Sequence, residues 1–161
     1  MHSQESKTGG RHPLLVNQIM LVFIVWFTLT GAALAQQYLC VAEQAAGFSY
    51  DKATKEWKNA TFKASSKYLI SKADGTWGAF QVTRIGDDSP FIFCKSDFNE
   101  ASFLLCSAGL AAIGDFNFNK TNGRYLYSSP FGYYNVLPEA NNITDENSDT
   151  PFLEIGKCSP F

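Results

Sequence analysis

Few side chains in this sequence could do chemistry. Both histidines, His2 and His12, lie in the opening segment, and no histidine follows position 35. Catalytic triads that shuttle protons through imidazole, Cys-His pairs and the common zinc sites are therefore excluded from the rest of the chain. The thiols that remain are Cys40, Cys94, Cys106 and Cys158. No two of these are separated by two residues, as a thiolate zinc site usually requires, and an even count favours two disulfides. Four cysteines allow three connectivities. The pairing expected is Cys94 with Cys106, which flank the turn-like Asp97-Phe98-Asn99-Glu100, and Cys40 with Cys158, tying the first strand to the last.

Carboxylates are the other resource. Glu43, Glu100, Asp115 and Glu154 could supply a pair for glycosidic chemistry, but a sequence carries no distances, and exposed charges are the default reading. Asp145-x-Asn147-x-Asp149 begins like a calcium loop. It has Thr150 where the turn glycine belongs and Gly156 where the bidentate glutamate belongs, so a solvated acidic loop is expected instead. Gly86-Asp87 and Gly114-Asp115 read as turns, since neither opens a helix that could cradle a phosphate. No catalytic residue, metal site or cofactor is expected. Asn59, Asn119 and Asn142 each begin an Asn-x-Thr sequence, which matters only in a host that glycosylates.

The elements that hold these residues follow a leader. An apolar run, Ile19-Met20-Leu21-Val22-Phe23-Ile24-Val25-Trp26-Phe27, is preceded by Lys7 and Arg11 and followed by Ala33-Leu34-Ala35. That is the layout of a cleavable signal peptide over residues 1–35. The competing reading is a membrane anchor. Asn17 and Gln18 interrupt the run, and the uninterrupted part falls short of the ~20 residues a spanning helix needs. Residues 36–161 then form one exported domain, periplasmic or secreted, with no membrane contact after cleavage. The 13 basic and 15 acidic residues, less Lys7, Arg11 and Glu5, leave 11 and 14. No basic stripe invites nucleic acid.

From Tyr38 onward, short apolar and aromatic runs alternate with turn residues. Strands are expected at Tyr38-Leu39-Cys40-Val41, through Gly47-Phe48-Ser49-Tyr50, over residues 57–62, at Phe91-Ile92-Phe93-Cys94 and around Cys106. Residues 108–113 suit a strand or a short helix equally. Asp74-Gly75 predicts a two-residue hairpin turn between residues 68–73 and 76–82. Asn122-Gly123 predicts another, with Phe118 opposite Tyr127. A further strand is expected at Gly132-Tyr133-Tyr134-Asn135-Val136-Leu137, a solvated loop over 139–150, and a last strand over 151–158. About eight short strands with tight turns predict an all-β fold, an antiparallel meander barrel braced by two disulfides, with a β-sandwich as the alternative.

All but Phe23, Phe27 and Trp26 of the 14 Phe, 7 Tyr and 3 Trp fall in the exported domain. A hollow barrel lined by Tyr68, Trp77, Phe80, Phe116, Phe118 and Tyr127 would make an apolar ligand pocket. The plainer reading is that these rings fill the barrel, since eight strands enclose a space side chains alone can occupy.

Three stretches resemble small exported proteobacterial proteins of uncharacterised function. They are Tyr38-Leu39-Cys40-Val41-Ala42-Glu43-Gln44-Ala45-Ala46-Gly47-Phe48, Gly114-Asp115-Phe116-Asn117-Phe118-Asn119-Lys120 and Thr150-Pro151-Phe152-Leu153-Glu154-Ile155-Gly156-Lys157-Cys158-Ser159-Pro160. The resemblance implies export and a shared fold, and carries no site residues. The Tyr-x-Cys opening and the late cysteine are also similar to periplasmic lysozyme-inhibitor barrels, without that family's inhibitory loop. The expected function is a non-enzymatic exported domain binding a small apolar ligand or an envelope protein. The alternatives are a lysozyme or protease inhibitor and a histidine-free carboxylate hydrolase.

Overall fold

Period-two alternation carries most of the chain into strands. The computed structural model describes residues 36–107, 114–136, 138 and 142–161. The expected leader and the ambiguous segment 108–113 lie outside the described residues. Nine strands are present: β1 (Tyr38–Asp51), β2 (Glu56–Phe62), β3 (Lys67–Lys72), β4 (Phe80–Arg84), β5 (Ile92–Cys94), β6 (Phe103–Ser107), β7 (Asp115–Asn119), β8 (Arg124–Ser129) and β9 (Phe152–Pro160). Their spatial order, β5-β4-β3-β1-β9-β8-β7-β6, forms a nearly closed antiparallel eight-strand barrel, with β2 pairing only the far half of β1. The barrel expectation holds over the sandwich.

One device lets β1 serve two partners on one side. A register shift between Ala42 and Gln44 bulges the strand at Glu43. Before the bulge β1 pairs β3, and from Ala45 onward it pairs β2. An extra residue bends a strand and increases its twist. Here β1 stays paired with β9 through Gly47, and beyond that residue it continues with β2 alone as a hairpin.

Both expected disulfides are present, Cys40–Cys158 and Cys94–Cys106. The two have different roles. Cys40 and Cys158 are register partners inside the β1–β9 ladder. Cys94 and Cys106 join β5 to β6, the two ends of the sheet, between which no ladder is formed among the described residues. The short bridge is the clasp of the barrel.

The inward positions are Tyr68 and Ile70, Phe80 and Val82, Ile92, Leu104, Phe116 and Phe118, and Tyr125 and Tyr127, all at most 3% exposed. Phe116 stacks on Tyr125 with centroids 4.9 Å apart, and Tyr68 meets Phe116, Tyr125 and Tyr127 edge to face. Phe98, from the β5–β6 connection, closes one end against Phe80, Phe118 and Tyr38, with the Lys120 ammonium 4.6 Å from its centroid. The barrel interior is filled with rings.

Three turn expectations need correction. Lys72 pairs with Phe80, so residues 73–79 form a seven-residue loop in place of a two-residue turn at Asp74-Gly75. Asp74 Oδ1 instead accepts the Thr76 N–H inside that loop. At Asn122-Gly123 the pairing is Phe118 with Tyr125 and Phe116 with Tyr127, two residues from the expected register. The cause is a four-residue loop, in which Asn119 Oδ1 accepts from the Thr121 N–H and Asn122 Oδ1 from the Arg124 N–H. The expected strand at 132–137 is also overturned. Residues 131–135 are turns, with the Gly132 N–H donating to Asn135 Oδ1, and Leu137 lies outside the described residues.

Candidate functional site

The end of the barrel opposite Phe98 is open. A cleft of about 820 Å³ lies there, and its floor is the inward face of the barrel wall. Glu154 on β9 pairs in register with Tyr127 on β8 and Ala45 on β1, and all three line the cleft. Glu154 is 3% exposed and is the one buried charged residue among the described positions.

The carboxylate is held from two sides. Tyr68 donates its hydroxyl to Glu154 Oε1 at 2.8 Å from across the barrel, and Tyr125 donates to the same oxygen at 3.0 Å. Hydrogen bonds to an ionised acceptor contribute roughly 1.5–3 kcal/mol each, which helps offset the cost of removing the carboxylate from water. Burial, first, and the neighbouring Glu154 push the ionisation of both phenols well above the ordinary tyrosine value. Tyr127 is raised chiefly by burial as well, with the Arg84 charge opposing. All three phenols are held neutral, and Tyr68 and Tyr125 serve as donors to the carboxylate.

Tyr125 reaches Glu154 because its register partner is Gly156. A Cβ on Gly156 would stand 2.6 Å from Tyr125 Cε1 and would also meet the Val41 carbonyl. The glycine leaves room for the ring that carries the hydroxyl.

Arg84 and Lys63 stand at the rim. Arg84 follows Phe80 and Val82 in the inward phase of β4, at the strand's last residue. Its guanidinium lies 5.5 Å from the Phe91 centroid and pairs with no carboxylate among the described residues. Phe62, Phe131 and Phe152 supply apolar wall. Ser148, Asp149 and Thr150 complete the opposite side. That side is pinned from outside, because Trp57 on β2 donates its indole N–H to Asp145 Oδ1 at 2.8 Å and packs edge to face on Tyr133. Asp145 of the calcium-like sequence thus receives an indole, and no cluster of three metal-ligating side chains occurs among the described residues.

Of the six expected lining rings, Tyr68, Phe80, Phe116, Phe118 and Tyr127 are brought together inside the barrel. They pack on one another, and of the six only Tyr127 lines the cleft. Trp77 is a correction. It is 69% exposed in the loop before β4, where it packs on Phe93 of the outer surface. Of the candidate carboxylates, Glu43 pairs with Lys157 outside the barrel, Asp115 and Glu100 are exposed, and Glu154 alone is inside. Sequence reasoning missed Arg84 and the inward aim of Glu154. Both were legible by phase, Arg84 from Phe80 and Val82, and Glu154 by counting back in twos from the disulfide-bonded Cys158.

Fold and site together define a disulfide-clasped antiparallel barrel with a packed interior and a charged cleft at one end. Two disulfides point to an oxidising, non-cytoplasmic compartment. Comparison of the chain with protein-family profiles, curated proteins and solved structures gave no match.

Proposed function

We propose that residues 36–161 act as an exported binding domain, periplasmic or secreted after removal of residues 1–35, with a small ligand seated in the cleft over Glu154. The observation that carries this reading is a buried carboxylate that lines an open cleft and whose second oxygen accepts no hydrogen bond among the described residues. With only one of its oxygens hydrogen-bonded, the buried carboxylate keeps part of its desolvation cost, which a ligand donor at the second oxygen lowers. Relative to the purely apolar ligand expected from the sequence, the filled interior moves binding to the mouth of the barrel and adds polar recognition. Native mass spectrometry of the oxidised protein from its own compartment tests this. A retained non-covalent mass that is lost in Glu154→Gln supports it. A bare chain, with no thermal shift across a metabolite panel, overturns it.

A second reading, docking on an envelope protein such as a lysozyme or protease, is favoured by the outer face. Leu105, Leu126 and Ile155 are exposed there by 60%, 37% and 43%, and the register sets Leu126 directly beside Ile155. Inhibition in a lysis or proteolysis assay, abolished by Leu126→Lys, is the expected result of that reading. No inhibition at micromolar protein counts against it.

A further inference from the structure

The charges of the cleft define what it accepts, given that it is a ligand site. Glu154 Oε1 already receives both tyrosine hydroxyls. Every fully enclosed side-chain oxygen or nitrogen among the described residues has a hydrogen-bond partner. Oε2 takes part in no hydrogen bond among the described residues, so it is not fully enclosed, and the open space beside it is the cleft that Glu154 lines. No lysine or arginine lies within ion-pair distance of this carboxylate among the described residues. The floor therefore offers one free anionic acceptor.

The rim offers the opposite. Arg84 is close enough to Tyr68 and Tyr127 for its charge to act on both hydroxyls, yet it makes no ion pair with Glu154. A ligand bearing only a cation would meet Glu154 favourably and Arg84 unfavourably, and a ligand bearing only an anion would meet the reverse. Between the two poles, Phe152 packs edge to face on Phe62 and on Tyr127, giving an apolar wall beside the charged path.

We infer that the cleft selects a small zwitterion of amino-acid type. Its ammonium donates to Glu154 Oε2, its carboxylate faces Arg84, and an apolar or aromatic side chain lies against Phe62 and Phe152. Such a ligand joins Glu154 to Arg84 without placing a like charge against either. Charge-assisted contacts at both poles favour it over relatives that lack one charge.

Four probes that share a phenethyl skeleton separate the contributions: phenylalanine, phenethylamine, 3-phenylpropionate and neutral 2-phenylethanol, titrated calorimetrically into the full oxidised chain. Phenylalanine is expected to bind about tenfold or more tightly than each of the others. Arg84→Gln, an exposed position that spares the core, is expected to abolish its advantage over phenethylamine, and Glu154→Gln its advantage over 3-phenylpropionate. Equal or tighter binding of a singly charged probe overturns the inference, as does retention of the full preference in Arg84→Gln. Saturable binding of 2-phenylethanol without preference for phenylalanine overturns the zwitterion while leaving the cleft a ligand site. No binding by any probe overturns the inference, and if the native mass is also bare the cleft reading falls with it.

Discussion

The two disulfides cross-link the same barrel at places of different backbone support, and that difference predicts different consequences of removing them. Cys40–Cys158 spans 118 residues of sequence but lies within a β1–β9 ladder of nine paired positions. Cys94–Cys106 spans 12 residues and joins two strands with no ladder between them. Chain entropy alone makes the loss of the long bridge cost about 5 kcal/mol and the loss of the short one about 3 kcal/mol. For a domain of this size these correspond to falls in Tm of about 20 °C and about 10 °C. Global denaturation should therefore rank the Cys40→Ala, Cys158→Ala variant as the less stable. Hydrogen exchange should rank them the other way at the seam. Without its clasp, the three-residue β5 is held only by β4, and the amides of β5 and β6 should exchange by local opening well below the global stability. In the other variant those amides should exchange only as fast as the global loss allows. Unchanged seam protection in the Cys94→Ala, Cys106→Ala variant, measured against the rest of the sheet, would refute the clasp.

Three more outcomes follow from the site. Because burial raises Tyr68, Tyr125 and Tyr127, the folded chain keeps these protons above about pH 10 while the unfolded chain releases them, so stability is complete below that value and falls as pH rises. Absorbance at 295 nm should show a late group of phenols ionising together with loss of the fold; one transition near pH 10 in a folded chain would contradict this. Gly156→Ala should cost about 1–3 kcal/mol in urea unfolding, since the added carbon meets both the Tyr125 ring and the Val41 carbonyl; a neutral effect would show that the close approach does not constrain the ring. Trp57→Phe removes the indole donor of Asp145 and should raise exchange and proteolysis of residues 142–150 without a change in barrel protection; unaltered cleavage there would deny that this contact pins the cleft wall.

Much of the barrel was legible because period two survives in most strands. Asp115-Phe116-Asn117-Phe118 alternates as written, and the cysteine pairing followed from where the strands begin and end. The turns were less legible. Asp74-Gly75 and Asn122-Gly123 favour tight hairpins, yet side-chain caps from Asp74, Asn119 and Asn122 hold longer loops. The site was hidden by an inversion in β9. Phe152-Leu153-Glu154-Ile155-Gly156 invites Leu153 and Ile155 inward and Glu154 outward on polarity. The structure does the reverse, leaving Leu153 and Ile155 exposed by 53% and 43%. Cys158 fixes the phase through its bond to Cys40, and the tyrosine hydroxyls then satisfy the carboxylate that this phase buries.

The inversion also explains why the aromatic surplus did not make a hollow barrel. Rings from β3, β7 and β8 pack on one another at the level of Tyr68 and Phe116 and fill the interior that a ligand would need. Tyr68 and Tyr125 among them end in hydroxyls that donate to Glu154, and burying these required an acceptor at the same level. Glu154 meets that need with one oxygen and has a second to spare. Filling the core with tyrosine thus places a charged acceptor beneath the cleft, while Arg84, two residues past the last apolar inward residue of β4, stands at its rim. The polar recognition at the mouth is in this sense a consequence of how the interior is packed, and Tyr68→Phe with Tyr125→Phe should disturb ligand selection and core stability together.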